Sequence, residues 1–286
     1  LRGEHVFEAF EDVVRPDGGH EALGAFGLTG VFPGDAAVVV APFDARLAEL
    51  VAYIVAGGYA GEAGISYESV ITIDRNLDRD RFNVYIIDIN AEGWWFQPAD
   101  GERVAVDKND FTIQVSGNKI SFDAVFIGMH GTPGEDGKLQ GYFDTLGIPY
   151  TGCDAATSAI TFNKRYATAV AGAAGIAVAR SVVLFREQMI SPDQAAQNLQ
   201  FPVFVKPNNG GSSIGMSKVN AFTDEFGIAI EKAFREDSQV LVEEMVEGRE
   251  FTVGVFQSKG NIIVLPLTEV QAHQDQAFFD FEAKYQ

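Results

Sequence analysis

Lys206 closes an apolar run and is followed, in KPNNGGSSIGMSKV, by asparagines, glycines and serines before a second short run begins. A glycine-rich loop between two strands lets backbone N–H groups curl around an anion, because glycine accepts the φ values required and approaches closely. A lysine fixed at a strand end adds a point charge suited to phosphate. Taken alone, a small-residue turn beside a surface lysine is the better account of such a stretch. The stretch is not a Walker A loop, since the lysine precedes the glycines and no Gly-Lys-Ser/Thr follows. Nor is it a dinucleotide fingerprint, because no helix follows the glycines directly. His130, in MHGTPGEDG, lies where a strand feeds a loop, a position at which α/β sheets place ligand groups. A lone loop histidine is otherwise more often structural. Glu135 and Asp136 share that loop, and residue type does not separate a scaffold role from a functional one. His5, His20 and His273 show no ligand spacing, so no metal is assigned to them. The sole cysteine, Cys153, excludes an internal disulfide and fits a reducing compartment. It is expected to be a small buried residue rather than an activated nucleophile.

These residues need strands and helices to bring them together, and the chain alternates the two. VAYIVAGG (residues 51–58) predicts a buried strand running into a glycine turn, and EAGISYESVITIDRNL predicts a helix with Ile65, Val70, Ile71 and Ile73 near one side. FNVYIIDI follows as the next strand, which makes a βαβ unit and implies parallel pairing. GWWFQ, RVAVD, FTIQVSGNKISF and AVFIGMHG are further strand-like runs, with a turn at Ser116-Gly117-Asn118. NKRYATAVAGAAG predicts a helix stopped at Gly175, and Ser191-Pro192 an N-cap followed by a first-turn proline. From FPVFVKP onward the order is strand, loop, strand, helix and three more strand-like runs. The fold class expected is α/β: an N-terminal parallel-sheet domain followed by an α+β module. The divisions expected are residues 1–50 unassigned, 51–152, 153–219 and 220–286.

Composition narrows the function. Lysine and arginine number 21 against 40 aspartates and glutamates, so the net charge of −19 repels nucleic acid and anionic membrane, and any phosphate site must be a local concentration of cations. A hydrophobic fraction of 47% is ample for a buried core. No apolar run approaches the roughly 20 residues needed to span a bilayer, and no signal peptide opens the chain. The expectation is a cytoplasmic protein without nucleic-acid or membrane partners.

Taken together and in order, AGGYAGEAGIS, MHGTPGEDGKLQGYFDTLGIPYTG, NKRYAT, FVKPNNGGSSIGMSKV, VLVEEMVEGREFTV and FFDFEAKY strongly resemble the D-alanine:D-alanine ligases of the ATP-grasp superfamily. The resemblance covers residues 51–285. It implies an α/β substrate domain followed by an ATP-grasp module that is incomplete at the C-terminus. It further implies formation of an acyl-phosphate from one D-alanine and ATP, then displacement of phosphate by the amine of a second D-alanine.

By that resemblance Glu62 binds the ammonium of the first D-alanine, whereas residue type alone is satisfied by a helix-start acid complementing the dipole. His130 becomes a neighbour of the first substrate's carboxylate or acyl-phosphate. Lys164 and Lys206 match two lysines that hold ATP phosphates, with Ser212 and Ser213 in the intervening loop's ATP contacts. A first-turn lysine is mildly disfavoured by the helix dipole, which favours a functional reason for Lys164. Glu243, with the backbones of Glu244 and Val246, is implied at the adenine edge, and Glu250 at the ribose hydroxyls. Lys284 is implied on phosphate, and Tyr285 in a hydrogen-bond chain with Ser212 and Glu62, the catalytic set.

ATP and Mg²⁺, with Mn²⁺ as a substitute, are the cofactors implied. The family's metal ligands fall beyond Gln286, so no metal ligand is expected within the chain as given, which is expected not to turn over. D-alanine and ATP are the partners implied, with a homodimer for the full-length protein. D-alanine:D-lactate and D-alanine:D-serine ligases, and a non-catalytic nucleotide-binding module, are the alternatives. Tyr285 favours the dipeptide, because that position matches the dipeptide ligases.

Overall fold

The computed structural model describes residues 13–14, 20–21, 50–188, 191–258 and 261–270. The expectations for Lys284, Tyr285 and FFDFEAKY, for His5 and His273, and for most of residues 1–50 lie outside them. In chain order, the short pair β1 (Val13–Val14) and β2 (His20–Glu21) precedes β3 (Leu50–Gly57), α1 (Ala63–Asn76), β4 (Phe82–Asn90), β5 (Gly93–Phe96), β6 (Val104–Ala105), β7 (Ile113–Val115), β8 (Asn118–Ile120), β9 (Ala124–Ile127) and α2 (Lys138–Leu146). There follow α3 (Ala155–Phe162), α4 (Lys164–Ala173), β10 (Ser181–Phe185), α5 (Pro192–Ala196), β11 (Val203–Pro207), β12 (Ser217–Val219), α6 (Asp224–Glu236) and β13 (Gln239–Glu244). The last described elements are β14 (Glu250–Thr252), β15 (Val255–Ser258), β16 (Asn261–Val264) and β17 (Thr268–Val270). The described residues divide into two compact units, one running to Ser158 with Val253–Pro266, the other Ala159–Thr252 with the residues from Leu267.

In the first unit the sheet order is β6-β5-β4-β3-β9. β3 pairs in parallel with both β4 and β9, as the βαβ reading requires. β5 and β6 add antiparallel strands at one edge, so the sheet is mixed rather than wholly parallel. β3 is central, and Tyr53, Ile54, Val55 and Ala56 are all buried, which is why this strand reads as an unbroken apolar run. Its side chains alternate between two cores. Tyr53 and Val55 join Ile87, Ile89, Phe111, Leu139 and Phe143 on one face. Ile54 and Ala56 meet Val70 and Ile73 of α1 on the other. The central strands therefore point their C-terminal ends toward the loops that carry Glu62 and His130.

In the second unit the order is β10-β13-β11-β12, antiparallel throughout. β11 alternates in the manner of a half-covered strand: Val203, Val205 and Pro207 are buried while Phe204 and Lys206 are half-buried on the opposite face. Phe226, Ala229, Ile230 and Ala233 of α6 cover the buried face together with Val219, Val240 and Val242. The division expected at residue 219 thus falls inside one sheet-and-helix layer, because β12, α6 and β13 share a single core. The predicted caps are present. Ser191 accepts from the Gln194 N–H in a reciprocal capping box, and Gly175, at φ +81°, follows the end of α4. No helix among the described residues is long and apolar enough to cross a membrane.

Candidate functional site

Glu62 occupies the N-cap position of α1, where its side chain makes no capping bond to the helix. The dipole account of this glutamate would suit an exposed carboxylate, yet Glu62 is only 3% exposed. A surface acid that merely complements the helix dipole does not account for a carboxylate buried to this degree. Two tight turns shape its surroundings. Gly57, at φ +90°, leaves no room for a side chain, since a Cβ there would stand 2.5 Å from the Ile89 carbonyl oxygen. Gly131, at φ +72°, lies so near the carboxylate that a Cβ would stand 3.0 Å from Glu62 Oε2.

His130 is held beside Glu62 by α1. Its backbone N–H donates to Ser66 Oγ at 2.9 Å, and its Nε2 lies 3.0 Å from Ser69 Oγ. Burial pushes the imidazole pKa below its ordinary value, and the Glu62 charge opposes this only in part. The histidine is accordingly neutral near pH 7, a hydrogen-bonding group rather than a cation.

Glu135 and Asp136 brace the loop that follows. Glu135 Oε2 accepts from the Gly131 N–H at 2.7 Å while the Glu135 N–H donates to the Gly131 carbonyl at 2.8 Å. Asp136 Oδ2 accepts from Thr132 Oγ1 at 2.6 Å and pairs with Lys138. The buried Gln140 amide donates to the Gly134 carbonyl at 2.6 Å. These bonds account for both acids as scaffold. Cys153, expected to be buried, is exposed. Partial desolvation and then the Asp154 charge raise its thiol pKa, which is the opposite of nucleophile activation.

The second unit gathers the candidate phosphate groups. Lys206 Nζ lies 2.8 Å from Glu243 Oε1 on the neighbouring strand, and each side chain is 19% exposed. Phe204 stands opposite Glu243 and Lys206 opposite Leu241, so the pair is diagonal on one face of the sheet. Lys206 is therefore a partly buried, pre-aimed cation, not the surface lysine of the bland account. Lys164 opens α4, and its Nζ donates to the Gly210 carbonyl at 2.6 Å, which draws this cation to the start of the glycine-serine loop.

The N–H groups at the start of α4 all have acceptors. Those of Lys164 and Arg165 donate to the Asn208 carbonyl at 3.0 Å and to Asn208 Oδ1 at 2.9 Å. Those of Tyr166 and Ala167 donate to Asn163 Oδ1 at 3.1 Å and to the Asn163 carbonyl at 2.8 Å. The first-turn N–H groups of α4 are therefore already taken and leave no open anion site at this helix terminus.

Beyond Asn208 the backbone is left-handed at Gly210 and Gly215, and also at Ser212 (φ +50°) and Ser213 (φ +59°). Glycine freedom was the expected source of curvature, but two serines carry part of it. A left-handed serine stores strain of about 1 kcal/mol. Strain of this kind concentrates at ligand-holding segments.

Glu243, Glu244, Val246 and Glu250, the residues expected at adenosine, all lie among the described residues. Glu243 meets Lys206, while Glu244 Oε1 accepts from the Gln200 N–H at 2.8 Å. The Glu244 N–H donates to the Arg180 carbonyl at 2.9 Å. Val246 is 72% exposed, and Glu250 is exposed on β14 opposite Val270. Among the described residues no group of three His, Cys, Asp or Glu could hold a metal ion. Sequence reasoning missed Ser66, Ser69, Asn163 and Asn208. The i, i+3 spacing of the serines on α1 was the available signal for the first pair.

Comparison with known proteins matches residues 52–153 to the family described as D-ala D-ala ligase N-terminus, and residues 170–286 to D-ala D-ala ligase C-terminus. A D-alanine–D-alanine ligase from Azobacteroides pseudotrichonymphae is 43% identical over 233 residues, covering 81% of this chain and 71% of that protein. Among solved structures, the VanG D-Ala:D-Ser ligase from Enterococcus faecalis aligns with a TM-score of 0.69 at 30% identity, covering 83% of this chain and 74% of that one. A D-alanine–D-alanine ligase from Bacillus anthracis complexed with ATP aligns with a TM-score of 0.60 at 25% identity, covering 80% and 68%.

Proposed function

Because the chain belongs to the D-alanine–D-alanine ligase family, we propose that Glu62 and His130 receive the first D-alanine and that Lys164, Lys206 and the loop of Ser212 and Ser213 receive the phosphates of ATP. The reaction is ATP-dependent ligation of two D-alanines for peptidoglycan synthesis. ATP supplies the phosphoryl group that activates the first carboxylate. Relatives at 40–43% identity are D-alanine–D-alanine ligases, which favours the dipeptide.

The buried Glu62 carboxylate, unused as a cap and beside His130, carries this reading. It binds an ammonium group and fixes the orientation of the amino acid. His130, neutral at pH 7, acts as a hydrogen-bond partner to the carboxylate end. Lys206 and Lys164 neutralise phosphate charge in an otherwise acidic chain. Glu243 positions Lys206 and lies on the strand that leads to the adenosine residues Glu244, Val246 and Glu250. Glu250 accepts from ribose hydroxyls. Ser212, Tyr285 and Glu62 have catalytic roles in this reading, and Lys284 a phosphate-binding one. Mg²⁺, or Mn²⁺ in its place, accompanies ATP in this reading, but the described residues offer no cluster that fits it, and no step is assigned to it. The protein is a cytoplasmic homodimer in this reading, in a reducing compartment where its single cysteine stays unoxidised.

Glu62→Gln in the full-length protein tests the assignment. It removes the charge that pairs with the ammonium while keeping the shape. A charge-assisted bond is worth about 1.5–3 kcal/mol, so KM for the first D-alanine should rise roughly 10- to 150-fold. The second subsite should change much less. Equal losses at both subsites, resolved by steady-state kinetics, would mean that Glu62 serves only the helix start.

A further inference from the structure

We propose that Ser69 is a positioning residue for His130: its hydroxyl, 3.0 Å from Nε2, fixes the tautomer and rotation of the ring and thereby decides what Nδ1 presents to the first substrate. The inference rests on the reading that His130 meets that substrate.

Ser66 and Ser69 lie one turn apart on the same side of α1. Serine is a mediocre helix former, and Ser66 is fully buried, where a hydroxyl is costly unless bonded. The helix itself therefore explains neither residue. Both instead reach across to a histidine more than sixty positions away in sequence. Ser66 Oγ accepts the His130 N–H at 2.9 Å and lies 3.4 Å from the Glu62 carbonyl, to which it donates. The backbone of His130 and the start of α1 are tied through that one hydroxyl, and Ser69 then fixes the ring.

A neutral imidazole has one N–H and one acceptor nitrogen. Burial keeps this imidazole neutral despite the nearby Glu62 carboxylate. Whichever role Ser69 imposes on Nε2, Nδ1 takes the complementary one. A ring held at only one end could rotate or exchange tautomers, and would present the substrate with a donor part of the time and an acceptor the rest.

The experiment uses the full-length protein, labelled with ¹⁵N-histidine, with the His130 ring signals assigned by their loss in His130→Gln. The parent should show two well-separated ring-nitrogen shifts, the signature of one tautomer. Ser69→Ala should bring them toward a common average and lower kcat about tenfold, the factor expected from losing one hydrogen bond. KM for ATP should stay unchanged, because the residues assigned to ATP belong to the other unit. Ser69→Thr, which restores a hydroxyl, should recover both the shifts and the rate. Ser69→Ala with unaltered His130 shifts would overturn the proposal, and so would a failure of Ser69→Thr to restore them. The underlying reading fails separately: His130→Gln turning over like the parent would remove His130 from the substrate, whatever the spectra show.

Discussion

Asn208→Ala perturbs a single buried side chain that holds the start of α4 to the end of β11. Asn208 is fully buried, and its Oδ1 accepts the Arg165 N–H at 2.9 Å. Its backbone N–H donates to the Gln239 carbonyl at 2.9 Å and its carbonyl accepts from the Lys164 N–H at 3.0 Å. Alanine keeps both backbone bonds and deletes the side-chain acceptor, together with the long 3.5 Å bond that Nδ2 donates to Gln239 Oε1. The Arg165 N–H is then left in a helix first turn without its partner, which costs about 1–3 kcal/mol. Taking about 2 kcal/mol, and roughly 2–4 °C per kcal/mol for a chain of this order of size, Tm should fall by roughly 4–8 °C. The second consequence is functional. Lys206 ends β11 and Lys164 begins α4, so the substitution loosens one candidate phosphate cation relative to the other. ATP affinity should fall several-fold, since a cation held less well recovers less electrostatic energy on binding. Thermal unfolding and calorimetric titration with ATP measure the two effects. A variant that melts within a degree of the parent and binds ATP equally would show that Asn208 does not hold the helix start.

Lys206→Ala should weaken ATP binding by at least about tenfold, read by the same titration, and should also cost about 1–2 kcal/mol of stability, because Glu243 loses its partner at a partly buried position; an unchanged Kd would remove Lys206 from the phosphate site. Glu135→Gln addresses pH. Burial, opposed by the Gly131 N–H and reinforced by the charges of Glu62 and Asp136, raises the Glu135 pKa from its ordinary 4.5 to about 7. The folded protein then holds a proton that the unfolded chain releases, so this group's contribution is full below about pH 4.5 and is lost as pH rises to about 7. Glutamine keeps an acceptor for the Gly131 N–H and does not titrate. Relative to the variant, the parent should lose on the order of 2–3 kcal/mol between pH 5 and pH 8 in denaturant unfolding, and parallel behaviour of the two would show that Glu135 titrates normally.

The fold was legible where a pattern was periodic. The apolar run of β3, the helix after it and the run of β4 specify a parallel βαβ unit, and those strands pair that way. The edge of that sheet was not legible, because strands as short as β5 and β6 carry no signal of direction. Direction there is set by the Asn90–Gly93 turn, in which Asn90 Oδ1 accepts the N–H groups of Glu92 and Gly93 at 2.9 and 3.2 Å. The site was legible by residue type but not by environment. A lysine beside a glycine loop looks the same in sequence whether it is solvated or, like Lys206, paired and four-fifths buried. Cys153 misled in the other direction, since the rule that cysteine is buried describes an average over proteins and not the end of an exposed loop.

The residues missed share a physical role that explains why type and spacing did not reveal them. Ser66, Ser69 and Asn208 each satisfy a donor or acceptor on a different element. So does the Asn163 amide, which caps its own helix and also donates to Asn209 Oδ1 at 3.0 Å. Such bonds between elements are specified by three-dimensional placement. In both units the side chain assigned to a ligand is held from outside its own loop: His130 by the hydroxyls of α1, and the Lys164 helix start by the end of β11. A loop that held its own reactive group would be only as rigid as itself, whereas one pinned to a helix or strand takes on the rigidity of the core beneath it. The consequence separates the two kinds of residue in experiment. Removing Glu62 or Lys206 deletes a contact and should be read mainly in a binding constant. Removing Ser69 or Asn208 leaves every assigned contact atom present but less well aimed, and its effect should be recoverable by a substitution that restores only the missing hydrogen-bonding atom.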